Sequence, residues 1–284
     1  MIRFKYHKPR SLDEACKLKE KLPDARFIAG GTDLMVNIRK GELRPPALVS
    51  LRSIPGLCKI EIDEVTSIGA LSTISDLIQN QMLPDKFPVL VQAAKRLGSV
   101  QIRNVATIGG NLCNSSPCAD MALPLLVLEA KVKLQADHQS RVIPLSEFFV
   151  GPGKTRLAAN EIMTEIILES PQKKTKTIFL KKGRVKMDLA IASVSVLLEM
   201  DGKKCRKVRI AAGSVGPVPM RLYKVEAMLE GATLSKELLD EAQKLAAESV
   251  NPITDVRASE EYRRQIIGVF VKRGIEKILG RNEP

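Results

Sequence analysis

The sequence predicts an α+β fold in three units, residues 1–55, 56–172 and 173–284, and three observations carry that prediction. The first unit reads strand, helix, strand, an order that implies a small parallel sheet. The second carries paired stretches of alternating apolar and polar residues, the mark of hairpins with one wet face, so a mixed or antiparallel sheet with helices is expected there. The third holds two long apolar runs joined by Asp201-Gly202 and followed by helical stretches, which describes an antiparallel sheet covered by helices. A chain of 284 residues exceeds one average domain and can bury a sizeable core.

Each element has its own reason. SLDEACKLKEKL, residues 11–22, opens with a Ser-x-x-Glu capping box and spaces its apolar residues for a helix. ARFIAGG reads as a buried strand ending in a glycine turn, LMVNIRKGE as a helix, and ALVSL at 47–51 as the next buried strand. The stretch from 58, with KIEIDEVTSIGALST, forms a hairpin, and helices follow over Ile74 to Gln81 and Pro88 to Leu97. Met121 to Glu129 is helical, KVKLQADHQSRVIPL is a hairpin, and residues 160–168 form the strand that closes the middle unit. Pro171 and QKKTKT read as a linker. Two strands then lie within LAIASVSVLLEMDGKKCRKVRIAAGSVGP, and helices span Arg221 to Leu229, Ser235 to Ser249 and Tyr262 to Leu279.

Composition removes several classes of function. No apolar run reaches about eighteen residues, so no membrane span is expected. The charged N-terminus lacks the apolar core of a signal peptide, and the location expected is cytoplasmic. Five cysteines in irregular spacing argue for reduced thiols. Cys113 and Cys118 do not have zinc-pair spacing, and with only His7 and His138 to complete a site, no metal is expected. Forty-five Lys and Arg against 32 Asp and Glu give +13, but the basic residues are scattered among acids and almost without aromatics, unlike a nucleic-acid surface. Solvated faces or a docking surface for an acidic partner account for them.

Two glycine pairs stand out, in FIAGGTDL and VATIGGNL. Each follows an apolar residue and precedes a polar one. Without a Cβ, such a pair at a strand end lets the backbone approach a ligand and turn N–H groups toward an anion. A charge-assisted hydrogen bond is worth roughly 1.5–3 kcal/mol, so a few amides hold a diphosphate without a lysine. Either pair alone is an ordinary tight turn; two alike suggest one ligand gripped from both sides. Neither matches G-x-G-x-x-G. GPGKT at 151–155 is no P-loop, because Phe148 stands where the first glycine belongs.

With AGGTDL (29–34), QIRNVATIGGNL (101–112), SPCADMALP (116–124), EIMTEI (161–166) and PITDVRASEEYRR (252–264), the chain resembles along its whole length the FAD-binding medium subunit of the molybdenum hydroxylases, the family of carbon monoxide, nicotinate and xanthine dehydrogenases. The resemblance implies a two-part FAD-binding domain of the p-cresol methylhydroxylase type, formed by the first two units, before the C-terminal sheet and helices. It further implies that Ala29, Gly30, Gly31, Thr32, Asp33 and Leu34, with Thr107, Ile108, Gly109, Gly110 and Asn111, hold the diphosphate and ribityl chain. Asn114 and Asp120 match polar contacts to the cofactor, Ile162 and Met163 contacts along the isoalloxazine, and Lys181 a lysine near the ring. Neither loop has the histidine used for covalent attachment in some relatives of this fold, so the FAD is non-covalent. The chain also lacks the inserted cysteine loop that binds an iron–sulfur cluster in the benzoyl-CoA-reducing branch.

By the same resemblance the chain is the electron-transfer subunit of an oxidoreductase. A large partner subunit carries molybdopterin, a small one carries two two-iron-two-sulfur clusters, and the assembly is a heterotrimer, paired into a dimer of heterotrimers. Electrons pass from the clusters to FAD and on to NAD, a quinone or ferredoxin. No catalytic acid or base is assigned within this chain. The residues alone also admit a non-redox subunit for a phosphate-bearing ligand and, more remotely, a nucleic-acid binder.

Overall fold

The computed structural model describes residues 3–137, 139–172 and 174–281. His138, at the tip of one expected hairpin, and Lys173, in the expected linker, lie outside them. Strand β1 (Lys5–His7), helix α1 (Leu12–Lys21), β2 (Arg26–Ile28), α2 (Leu34–Lys40) and β3 (Ala47–Ser50) come first. The Ser11 hydroxyl accepts from Glu14 N–H at 3.1 Å and caps α1, while the Glu14 carboxylate takes the Arg10 N–H at 2.7 Å rather than that of Ser11, so only half of the expected capping box forms. The three strands form a parallel sheet in the order β1-β3-β2. Central β3 is buried at every residue, which explains why it is continuously apolar. A small core of Ala15, Cys16, Ala25, Val49, Leu51, Ile54 and Leu57 lies beneath it.

The chain continues through β4 (Ile60–Ile62), β5 (Val65–Gly69), α3 (Ile74–Gln79), α4 (Leu83–Lys86), α5 (Pro88–Arg96), α6 (Val100–Arg103), α7 (Ile108–Cys113) and α8 (Ala122–Val127). It then forms β6 (Lys131–Ala136), β7 (Gln139–Pro144), β8 (Phe149–Gly151), β9 (Lys154–Thr155) and β10 (Ile162–Glu169). The second sheet has the order β4-β5-β10-β6-β7, with antiparallel pairing throughout. β10, expected as the closing strand, lies at its centre. Residues 149–155, which include all of GPGKT, form the two-stranded hairpin β8–β9.

Four strands make the last sheet: β11 (Thr175–Lys182), β12 (Ala192–Asp201), β13 (Lys204–Gly213) and β14 (Met220–Arg221), paired in that order. Helices α9 (Tyr223–Leu229), α10 (Lys236–Glu248) and α11 (Glu260–Ile278) complete it. Two strands were expected here and a linker over 170–176; the stretch beginning at Thr175 is instead an edge strand. Its exposed lysines alternate with half-buried threonines, and an edge guarded by lysine is polar for the same reason that a linker is.

Both faces of this sheet are covered. Val194, Val196, Leu198, Val208, Ile210 and Ala212 pack against α9–α11. Phe179, Leu197 and Ala211 instead join the core built around α5 and α8. Burial on two sides accounts for the run VSVLL, apolar except for buried Ser195. Charged groups reinforce the seam. Arg209 and Arg221 donate to the carbonyls of Val127 (3.3 Å) and Leu126 (3.4 Å), at the negative end of α8. Arg209 also pairs with Glu129, and buried Arg221 grips Glu226 in a fork at 2.6 and 2.7 Å.

Candidate cofactor-binding site

The two glycine segments meet. A Cβ on Gly30 would lie 2.1 Å from the carbonyl oxygen of Val105 and 3.0 Å from Ala106 Cα, so only glycine lets the first loop rest on the strip entering the second. Gly31 holds φ +75°, a left-handed conformation that turns the chain into α2. The N–H groups of Gly30, Gly31, Thr32 and Asp33 find no acceptor among the described residues. This loop therefore presents four consecutive free donors.

The second segment is built differently from the expectation. It does not end a strand; it forms the first turn of α7, whose N-cap is Thr107. The Thr107 hydroxyl accepts from Gly110 N–H at 3.0 Å, and the Thr107 carbonyl accepts from Asn111 N–H at 3.0 Å. Ile108 and Gly109 N–H donate to the carbonyls of Ser72 (3.0 Å) and Ala70 (2.8 Å). Its amides are thus already bonded, and the second cup is a platform rather than a set of free donors. The twin glycines divide the work. A Cβ on Gly109 would strike Ala70 Cβ at 2.6 Å, whereas a Cβ on half-buried Gly110 would meet only the Thr107 hydroxyl, at 2.8 Å.

From α7 the contacts lead onward. Asn111 Oδ1 accepts from Met121 N–H at 3.3 Å and holds the neighbouring Asp120 beside the helix. Asn114, which caps α7, is exposed. Asp120 is buried and pairs with Lys181 of β11, Nζ to Oδ2, at 2.6 Å. Its Oδ1 is buried without a hydrogen-bond partner. Burial pushes the Asp120 carboxyl up to about 6 even though Lys181 and Arg96 act against it. Ile162 and Met163 start β10 at the seam between two cores: Ile162 packs with the first, Met163 with the second. β10 is tied to α7 through Ala70, whose N–H donates to Thr164 and whose carbonyl takes the Gly109 N–H.

The structure thus joins the first loop to the second, the second to Asp120, and Asp120 to Lys181. Two contributors were not singled out from sequence. Ser115, at φ 47°, donates to the carbonyls of Gly151 (2.9 Å) and Lys154 (3.0 Å), so the decoy GPGKT buttresses the site from outside. Arg96 meets Lys181, and nothing in its sequence neighbourhood marks it. Burial pushes the thiol of Cys113 up to about 12, which disfavours its thiolate. Among the described residues no group of three or more His, Cys, Asp or Glu side chains is placed to hold a metal ion. No helix among them is long and apolar enough to cross a membrane.

Donors for an anion at one end and a buried carboxylate–ammonium pair at the other define a class: a protein that holds an elongated cofactor with a phosphate part and a polar ring. Residues 2–171 match the family described as the FAD binding domain in molybdopterin dehydrogenase, and residues 178–278 the CO dehydrogenase flavoprotein C-terminal domain. The chain is 31% identical over 280 residues to the glyceraldehyde dehydrogenase medium chain of Sulfolobus acidocaldarius, with 97% of this chain and 98% of that one covered. It is 32% identical over 279 residues to the nicotinate dehydrogenase FAD-subunit of Eubacterium barkeri, covering 95% and 94%. Its fold superposes on a chain of carbon monoxide dehydrogenase from Hydrogenophaga pseudoflava with a TM-score of 0.95 at 31% identity, covering 99% of each. This chain belongs to the FAD-binding flavoprotein subunits of the molybdenum hydroxylase family. The residues present fit FAD: the free amides of the first loop and the unpartnered Asp120 Oδ1 are features that a flavin dinucleotide completes.

Proposed function

We propose that the chain is the electron relay of a heteromeric molybdenum hydroxylase. It takes electrons from two-iron-two-sulfur clusters in a small partner subunit and passes them to an external acceptor such as NAD, a quinone or ferredoxin. Substrate oxidation takes place at molybdopterin in a large partner subunit. In this reading the three chains form a cytoplasmic heterotrimer that pairs into a dimer of heterotrimers.

The observation that carries the reading is the kind of site present. It has free loop amides for an anion at one side and, at the other, a buried Asp120–Lys181 pair with the Asp120 Oδ1 left without a partner, which are groups that bind and orient a cofactor. Bound FAD supplies the redox chemistry, and the protein positions and tunes it. The amides of Gly30, Gly31, Thr32 and Asp33 take the diphosphate. Gly110 leaves room for it, and Thr107, Asn111 and Asn114 offer side chains to the ribityl and phosphate oxygens. Ala29, Leu34, Ile108, Ile162 and Met163 supply apolar walls, Gly109 holds α7 against β5, and Asp120 Oδ1 with Lys181 meets the polar edge of the ring.

The test is spectroscopic. The purified chain is expected to be yellow and to release its FAD on denaturation without proteolysis, as a non-covalent cofactor does. In a complex assembled with the molybdopterin and iron–sulfur subunits, substrate bleaches the flavin; in one lacking the iron–sulfur subunit it does not. Bleaching that needs no clusters overturns the relay. A colourless chain that binds some other phosphate compound supports instead the non-redox ligand subunit, to which the free donors of the first loop are equally suited.

A further inference from the structure

Lys181 has a second partner besides Asp120. Arg96, the last residue of α5, donates from Nη2 to the Lys181 carbonyl at 3.1 Å, and Lys181 Nζ donates back to the Arg96 carbonyl at 3.1 Å. β11 is an edge strand, so its outward carbonyls have no neighbouring strand, and the guanidinium takes that place. The Arg96 carbonyl is among the last four of its helix, which lack intrahelical donors and carry the negative end of the helix dipole. Each residue therefore satisfies a main-chain group that the other leaves open. The exchange leaves the ammonium bonded to Asp120 Oδ2 and Arg96 O, with one of its three donors unused beside the unpartnered Asp120 Oδ1. Two cations then face one carboxylate.

We propose that Arg96 is a positioning residue of the flavin site: its guanidinium pins the β11 main chain at Lys181 to the end of α5, where the helix's last carbonyl holds the ammonium against Asp120, and it adds a second positive charge there. The inference rests on the FAD reading above and extends it to a residue outside both glycine loops. The Arg96 carbonyl and Asp120 Oδ2 hold the ammonium, and the guanidinium holds the main chain that carries it, so the spare donor and the spare Asp120 oxygen stay side by side. Reduction adds negative charge to the ring, so a nearby excess of positive charge favours the reduced cofactor and raises its midpoint potential.

The experiment compares Arg96→Ala and Arg96→Lys with the wild-type chain, measuring FAD stoichiometry, FAD dissociation constant, midpoint potential and melting temperature of the apoprotein. Arg96→Ala is expected to bind FAD to full stoichiometry, about tenfold more weakly, at a more negative potential. Arg96→Lys returns the charge but not the planar fork, so it recovers the potential without the affinity. In a Lys181→Met background, Arg96→Ala adds no further loss of affinity. Wild-type potential and affinity in Arg96→Ala overturn the proposal, as does a drop in melting temperature alone, which marks a structural arginine. A wild-type chain that takes up no FAD overturns the functional reading itself, whereas a yellow wild type with an indistinguishable Arg96→Ala removes only the role of Arg96.

Discussion

Adjacent glycines at 109 and 110 do different work. Gly109 abuts Ala70 inside the protein, so Gly109→Ala forces methyl against methyl. Overpacking of this kind costs about 1–3 kcal/mol, expected as a lowered urea midpoint in the apoprotein. Gly110→Val instead presses on the Thr107 capping hydroxyl, 2.8 Å from the added Cβ, and is expected to expel FAD at a modest cost in stability, read from flavin content per chain; full occupancy in the folded variant contradicts the site. Asp120 adds a pH signature to the apoprotein. Its folded carboxyl titrates at about 6 against an ordinary 3.8. The unfolded chain therefore loses this proton first, and stability drains away as pH rises between about 4 and 6, then levels off. Asp120→Asn should flatten that descent in urea titrations repeated across the range. The glycine pairs were legible in the sequence as candidates, and the aspartate only through the resemblance. Their division of labour was not, because two glycines look identical until one meets Ala70.

Short elements hold the site together, and they were the hardest to read. A six-residue helix beginning Ile-Gly-Gly has poor intrinsic propensity, so VATIGGNL reads as a loop; the Thr107 cap and two amide bonds into the turn around Ala70 make it helical. Thr107→Ala should cost about 1 kcal/mol as a lost cap. It should also weaken FAD several-fold, by calorimetric titration, because α7 carries both Gly110 and Asn111. α6 and α4 went unread for the same reason of length, each having four residues. By contrast the Ser11 cap of α1, the apolar run of β3 and the Asp-Gly turn between β12 and β13 stood in the sequence because local chemistry alone decides them. β11 was missed because its first half is polar and its apolar residues pack on helices remote in sequence, Phe179 in the core around α5 and Ile178 and Leu180 beside α11.

Across the whole molecule, the last sheet is sandwiched between its own helices and those of the preceding unit, and Leu197 faces the latter. Leu197→Ala should cost about 2–5 kcal/mol. Because it loosens the seam rather than one core, the wild type is expected to unfold in one transition and the variant in two, followed by circular dichroism with flavin fluorescence as a second probe. The sequence announced two apolar runs but not which side of each strand meets which partner, since that choice depends on residues far along the chain.

The Asp120–Lys181 pair spans 61 positions, and the strand bearing Lys181 is edge-paired only to β12, which is made later still. A ribosome that has released the first 170 residues has therefore synthesised both glycine segments but not the ammonium that Asp120 binds. If Lys181 completes the site as proposed, a chain truncated after residue 170 is expected to retain flavin less firmly than the whole chain, read from the colour left after gel filtration.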